Sequence, residues 1–490
     1  MGGIMSFTTF EFLIFLVFLF PMYFLIPKKL QKFILLIFNF YYISFYKIEF
    51  LYFILGISTI FYISGILLEK YRKKSILIFS IFCTSGILIY LKFFAYLLEK
   101  LHIQSIVLNS MASKLYLPLG ISFYTLQGIA YIVDIYKNKY QVEKNFIHFL
   151  LYMTFFLIFL QGPISRYEQL EKQLITHHKF DYKQFCFGLQ LALWGLFKKL
   201  VISNRLNMIT NEIFDKNTEY TGIIMLLSGM CYALELYTDF SGAVDISRGI
   251  AQSMNINLIQ NFNFPNSATS IKDFWSRWHI SLSTWLRDYI YIPLGGNRKG
   301  NFRKYINITI TFFVSGLWHG VGFKFIIWGL LHAFYQILAD LIANTLNKIK
   351  EILKYKNILS LISDNNNLEI LISKFTTFIL VSIAWIFFRA SDWKTAYTMI
   401  KKINKKFLSS IGKLIESGNI DKKDFIVLII SLFILYLFER FSQKIQVREK
   451  ILKFYLPFRW GLYILLIHII IIFGIYGEGY NPANFIYMGF

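Results

Sequence analysis

The sequence predicts an all-α, polytopic membrane protein, and three observations carry that prediction. Hydrophobic residues make up 56% of the 490 and charged residues 16%, with a mean hydropathy of +0.51. The apolar residues come in repeated runs near the ~20 residues that cross a hydrocarbon core as a helix. The basic residues behind the formal charge of +23 gather in short connections: Lys28-Lys29, Lys70 to Lys74, Lys198-Lys199, Arg298 to Lys304 and Lys401 to Lys406. Cytoplasmic loops collect such charge. A nucleic-acid binder would instead carry it on a soluble fold or an exposed patch, so the expected partner is the lipid bilayer and not nucleic acid. Cys83, Cys186 and Cys231 lie far apart in apolar runs. No metal-type spacing exists, no metal is expected, and the three read as small core hydrophobes.

Taken in order, the amino terminus lacks a basic leader and a small-residue cleavage site, so no cleaved signal peptide is expected. Its match to the myristoylation pattern is read as chance. Lys28, Lys29 and Lys32 follow the first span directly, which predicts an amino terminus outside the cytoplasm. Further spans are expected at about 33–46, 50–68 and 75–98, then a polar break at Ile103 to Ser113. Pro118 and Gly120 weaken the start of the next element, which sets Ser122, Tyr124, Thr125 and Gln127 within a membrane segment. Such groups either bond between helices or line a pathway. A span from Phe146 to Leu160 ends at a Gly162-Pro163 turn. Spans at about 185–202 and 221–240 follow. Glu235 and Asp239, four apart, share a helix face and could raise one another's pKa or pair with Arg248 or Arg277. Asn255 to Ser270 reads as a loop.

The stretch Ile271 to Tyr335 organises the chain. It concentrates Trp275, Trp278, Trp285, Trp318 and Trp328 with His279, His319, His332, Asp273, Arg277, Arg287 and Asp288. Polar groups at membrane depth are expensive and usually mark a cavity or a pathway. Asp273 and Arg277 are spaced for a local salt bridge. Trp275 to Asp288, as one helix, would run about 21 Å, which suits an interfacial or re-entrant element. His319 falls between two apolar runs at a break marked by Gly316, Gly320 and Gly322. On a continuous helix His332 would lie about 20 Å and 220° away from it, so the two share a site only if the helix breaks, and His332 reads as structural. Beyond, Leu330 to Ala343 completes a span, Lys348 to Asn367 is a polar connector, and spans follow near 375–388, 425–438 and 458–476. The expected total is eleven to thirteen crossings in one membrane domain, 1–490. Its parts are amino-terminal helices to 114, a core at 115–345 and carboxyl-terminal helices from 346.

Four runs of this stretch carry a resemblance: Asp273-Phe274-Trp275-Ser276-Arg277-Trp278-His279-Ile280-Ser281, Trp285-Leu286-Arg287-Asp288-Tyr289, Ile292-Pro293-Leu294-Gly295-Gly296-Asn297-Arg298 and Leu317-Trp318-His319-Gly320. They resemble the membrane-bound O-acyltransferases (MBOAT), in particular the bacterial branch that acetylates alginate and peptidoglycan. Leu117 to Gln127 and the terminal Phe485-Ile486-Tyr487-Met488-Gly489-Phe490 are similar to that branch too. Tyr237-Thr238-Asp239-Phe240-Ser241-Gly242 matches a family word in which Ala243 and Val244 replace two members.

The resemblance implies helices around a central tunnel in a bacterial inner membrane. It further implies acetyl-CoA as a cytoplasmic co-substrate with no permanently bound cofactor, and a periplasmic esterase-like partner that passes acetyl to a polysaccharide, peptidoglycan being favoured. Alginate-like exopolysaccharide, D-alanyl transfer to teichoic acid, and transport without catalysis are the alternatives. Acyl transfer to a hydroxyl needs a base and a stabilised oxyanion. His319 is the expected base. His279 is the second catalytic candidate, either orienting a substrate or bonded within the core. Trp318, Trp278, Arg277, Asp273, Asp288, Asp239, Tyr124 and Gln127 are the expected supporting or tunnel residues. Arg298, Lys299, Arg303 and Lys304 could attract the phosphates of coenzyme A. Tyr487 is either an acyl relay or part of an interfacial aromatic belt.

Overall fold

The computed structural model describes residues 5–100, 118–355, 366–404 and 421–476. Among the described residues the regular structure is helical, with no strand. The helices are α1 (Phe10–Leu25), α2 (Gln31–Tyr46), α3 (Ile48–Tyr71), α4 (Lys74–Lys100), α5 (Ile121–Tyr136), α6 (Phe146–Thr154), α7 (Phe156–Phe159), α8 (Tyr167–Ile175), α9 (Tyr182–Leu196), α10 (Asn204–Asp215) and α11 (Ile223–Ser253). Then come α12 (Ile271–Arg277), α13 (Ile280–Leu286), α14 (Gly300–His319), α15 (Phe323–Tyr355), α16 (Asn366–Arg389), α17 (Trp393–Lys402), α18 (Lys422–Ser442), α19 (Val447–Leu452) and α20 (Leu456–Phe473). Eight described helical segments are long and apolar enough to cross a membrane; α1 is apolar but shorter. The Ile103 to Ser113 break, most of the loop after Lys402, and Tyr487 with the terminal motif lie outside the described residues.

Several expected boundaries move, each for a local reason. The span at 146–160 is interrupted at Phe155, where the Asn39 side-chain oxygen accepts the Phe156 amide at 3.2 Å. The apolar span closes at Ala343 as expected, but its helix runs on to Tyr355, into the stretch read as a connector. The element expected at 185–202 is a 34-residue helical run, Tyr182–Asp215, widened to a π-helix at Phe197–Ser203.

The chain forms two compact units. The first comprises Met1–Asn204, Tyr237–Gln260 and Val427–Phe490. Within it α9 meets the later half of α11 across two glycines, since a Cβ at Gly195 would lie 2.5 Å from the Gly242 carbonyl oxygen. Small residues at such crossings let membrane helices approach closely. The π turn just beyond Gly195 carries Lys198 and Lys199, 3% and 2% exposed. The loop position expected for this pair is therefore corrected. Lys199 donates to Asp239, while Lys198 donates to Ser241 and Asp245 at 2.8 and 2.7 Å. Buried ammonium groups persist only when paired and hydrogen-bonded, and both are. Asp239 thus has a lysine partner.

The second unit comprises Arg205–Leu236 and Asn261–Ile426. Its centre is the hairpin of α14 and α15. A Cβ at Gly316 would stand 2.4 Å from the Phe325 carbonyl oxygen, and one at Gly329 would stand 2.3 Å from that of Phe312. Glycine at both positions lets the two backbones touch.

Candidate functional site

The segment leading to His279 is built by local capping. Ser270 opens α12, its hydroxyl accepting the Asp273 amide at 3.1 Å. The expected Asp273–Arg277 salt bridge forms at 2.7 Å. Burial works against the charged form of Asp273, but the Arg277 guanidinium, the Thr269 amide and the Ser276 hydroxyl together hold its carboxyl below the usual range.

The single helix expected from Trp275 to Asp288 is broken. Trp278 is extended, and His279 adopts the left-handed conformation, φ 43° and ψ 54°. A non-glycine residue there is uncommon and costs energy that its surroundings must repay. Asn261 does so: its backbone oxygen accepts the Ile280 amide at 3.0 Å and its side-chain oxygen accepts the Ser281 amide at 2.9 Å. Those bonds satisfy first-turn donors of α13 that a helix leaves open. Asn261 is a residue that sequence reasoning missed, because its partners lie about twenty positions on. His279 is buried and lies outside the eight candidate spans. Burial pushes its pKa down to about 3, so the imidazole is neutral.

His319 is the last residue of α14, before the turn through Gly320 and Gly322. It is 2% exposed and walled by aromatic rings: centroids lie at 4.8 Å for Trp318, 4.9 Å for Trp328 and 5.3 Å for Phe388. Trp318 faces His279 as well, at 6.2 Å. The two imidazoles expected to work together therefore share one indole. His332 also belongs here, contrary to expectation. Because the helix stops at His319 and turns back, His332 lies against Trp328, 5.1 Å between centroids, and accepts from Trp275 at 3.3 Å. The glycines at 316, 320 and 322 were the signal. Behind Phe274, Trp278 and Trp385 a cavity of about 10 Å³ is lined by Ala233, Ala268 and Thr377, room for about one water.

The other expected residues divide. Trp278, Trp318, Asp273, Arg277 and Asp288 belong to this same unit, Asp288 being bonded to Arg287 at 2.9 Å. Arg298, Lys299 and Arg303 are exposed, whereas Lys304 is committed to Asp340 at 2.7 Å. Tyr124, Gln127 and Asp239 belong to the first unit. There Tyr124 stacks on Phe159 at 5.8 Å, and Tyr124 and Gln127 are both buried. Glu235, which shares a helix with Asp239, falls in the second unit and accepts from Asn207 at 2.8 Å and from Thr210.

Residues 142–381 match the MBOAT, membrane-bound O-acyltransferase family. The chain is 31% identical over 405 residues to the probable alginate O-acetylase AlgI of Pseudomonas aeruginosa, covering 81% of this chain and 74% of that one. It is 34% identical over 313 residues to the peptidoglycan O-acetyltransferase of Helicobacter pylori, covering 59% of this chain and 56% of that one. It is 31% identical over 227 residues to the teichoic acid D-alanyltransferase of Bacillus subtilis, covering 44% of this chain and 57% of that one.

Proposed function

We propose a specific reaction for this chain, which belongs to the membrane-bound O-acyltransferase family and is an O-acyltransferase of the membrane. In the bacterial inner membrane it takes acetyl from cytoplasmic acetyl-CoA and passes it outward. A periplasmic partner then delivers it to a cell-envelope polysaccharide, with peptidoglycan as the favoured acceptor. The hydroxyl oxygen that first receives the acetyl attacks the thioester carbonyl, His319 takes its proton, the C–S bond breaks as the O–C bond forms, coenzyme A leaves as the thiol with that proton, and the partner passes the acetyl on to the polysaccharide. A neutral imidazole can accept a proton at physiological pH, which is what this step needs. His279 orients one of the two substrates. Arg298, Lys299 and Arg303, with Lys304 held back by Asp340, attract the coenzyme A phosphates. Tyr487 is the candidate for a transient acyl relay, tested by labelled acetyl transfer in Tyr487→Phe.

One observation supports the reading above the others: a buried imidazole ends a helix at a glycine turn, walled by indoles, with a second imidazole against the same indole. In His319→Ala, acetate transfer is expected to fall ~10²–10⁴-fold with unchanged yield in the membrane. Transfer at the wild-type rate would end the proposal. Under the transporter alternative that variant leaves the chemistry intact. An alginate-like acceptor is the second reading, favoured by the 405-residue alignment. Base-labile acetate measured in each envelope polymer of a deletion strain separates the two.

A further inference from the structure

Two imidazoles lie against the rings of Trp328, a residue with no solvent exposure: His319 from α14 and His332 from one turn further along α15. His332 is itself fully buried, and its Nδ1 faces Trp275 Nε1 at 3.3 Å. An indole N–H only donates. Nδ1 is therefore the bare nitrogen, and the neutral ring carries its proton on Nε2. Trp275 stands on α12, four residues before His279. The bond thus ties the helix that leads into His279 to the helix whose Trp328 backs His319. On the other side the wall closes through Trp318, which touches both His279 and His319. The contacts run in a ring: His279, Trp318, His319, Trp328, His332, Trp275 and back along α12.

We infer that His332 is a positioning residue for acyl transfer: through its hydrogen bond from Trp275 and its contact with Trp328, it fixes where His319 sits relative to His279. A buried imidazole is costly unless hydrogen-bonded, and an aliphatic side chain would fill the same space at lower cost. What the imidazole adds is an acceptor for the half-buried Trp275 indole N–H. The inference rests on the reading of His319 as the base.

The test uses full-length protein in detergent with a soluble glycan fragment supplying the acceptor hydroxyl, titrated with acetyl-CoA, with free thiol release giving kcat and KM and thermal melting reporting the fold. His332→Phe keeps a ring and removes the acceptor; Trp275→Phe removes the donor; His332→Asn returns an amide oxygen near the position of Nδ1. Both Phe variants are expected to lose ~10–100-fold in kcat, the range that follows from displacing a reacting group by about an ångström. KM for acetyl-CoA should stay within about 3-fold, the double Phe variant should be no worse than either single, and His332→Asn should recover most of the loss. Wild-type kcat in His332→Phe overturns the inference, as does a loss that follows melting and is equal in the Asn variant. If His332→Phe yields no folded protein, Trp275→Phe decides, an unchanged kcat there being equally fatal. His319→Ala runs in parallel. If it still releases thiol, the base assignment fails; if it is inactive while His332→Phe is fully active, only the positioning role falls.

Discussion

Two buried polar clusters, one in each unit, show opposite ways of keeping titratable groups out of water. In the first unit Lys198 and Lys199 lie inside a helical run and meet Asp245 and Asp239 directly. In the second unit His279 and His319 sit where helices break, with indole rings against them. A cation beside its own counter-ion has its charge already answered, and removing either partner strands the other. A neutral imidazole among aromatic rings can accept a proton when one is offered. The first arrangement suits a brace. The second suits chemistry.

The sharpest way to break this contrast is to strand a carboxylate. Lys199→Met leaves Asp239 buried without its ammonium and is expected to destabilise the protein by about 3–5 kcal/mol, with the double variant Lys199→Met/Asp239→Leu recovering much of that. Melting temperature and membrane yield measure it, and activity per folded molecule should hold steady. Next is Asn261→Ala, which removes the side-chain acceptor at the start of α13. A cap loss of about 1 kcal/mol should appear together with a larger fall in kcat than in melting temperature, because His279 loses its support.

A smaller effect is expected with pH. The native pKa of His279 is held near 3 by burial, below the ~6.5 of an exposed imidazole. Below about pH 6.5 the unfolded chain therefore binds a proton that the native protein refuses. The contribution is complete above that pH and lost progressively as pH falls toward the native value. His279→Asn should flatten the acid limb of a melting-temperature profile. The smallest effect is expected at the exposed loop. Arg298→Gln with Lys299→Gln should raise KM for acetyl-CoA a few-fold at low salt and less at high salt, where screening already weakens attraction.

Much of this was legible in the sequence. The helical membrane class follows from composition, and the words around His279 and His319 mark both imidazoles because tryptophan, arginine and aspartate are rare in apolar runs. What was not legible depended on partners far along the chain. Lys198-Lys199 looks like a loop signature until Asp239 and Asp245, 40 and 47 residues on from their partners, are seen beside it. Asn261 declares nothing alone, since its role exists only where α13 begins. His332 was set aside by assuming one continuous helix after His319. The flanking glycines contradicted that assumption, and a reversal of direction puts residues thirteen apart on the same ring system. The break at Trp278–His279 was hidden for another reason. Histidine takes the left-handed shape more readily than most residues, but nothing in the run Phe274 to Ser283 says which position adopts it, and the bonds that support it come from Asn261.

That left-handed residue governs how position 279 should be probed. Alanine there would alter two things together, deleting the ring and forcing a methyl-bearing residue to keep a backbone shape it dislikes. Glycine adopts that shape freely and asparagine adopts it readily, so the pair separates the loss of imidazole from the loss of conformation. A valine or isoleucine at this site would report mainly on the backbone, however informative it looked in an activity screen.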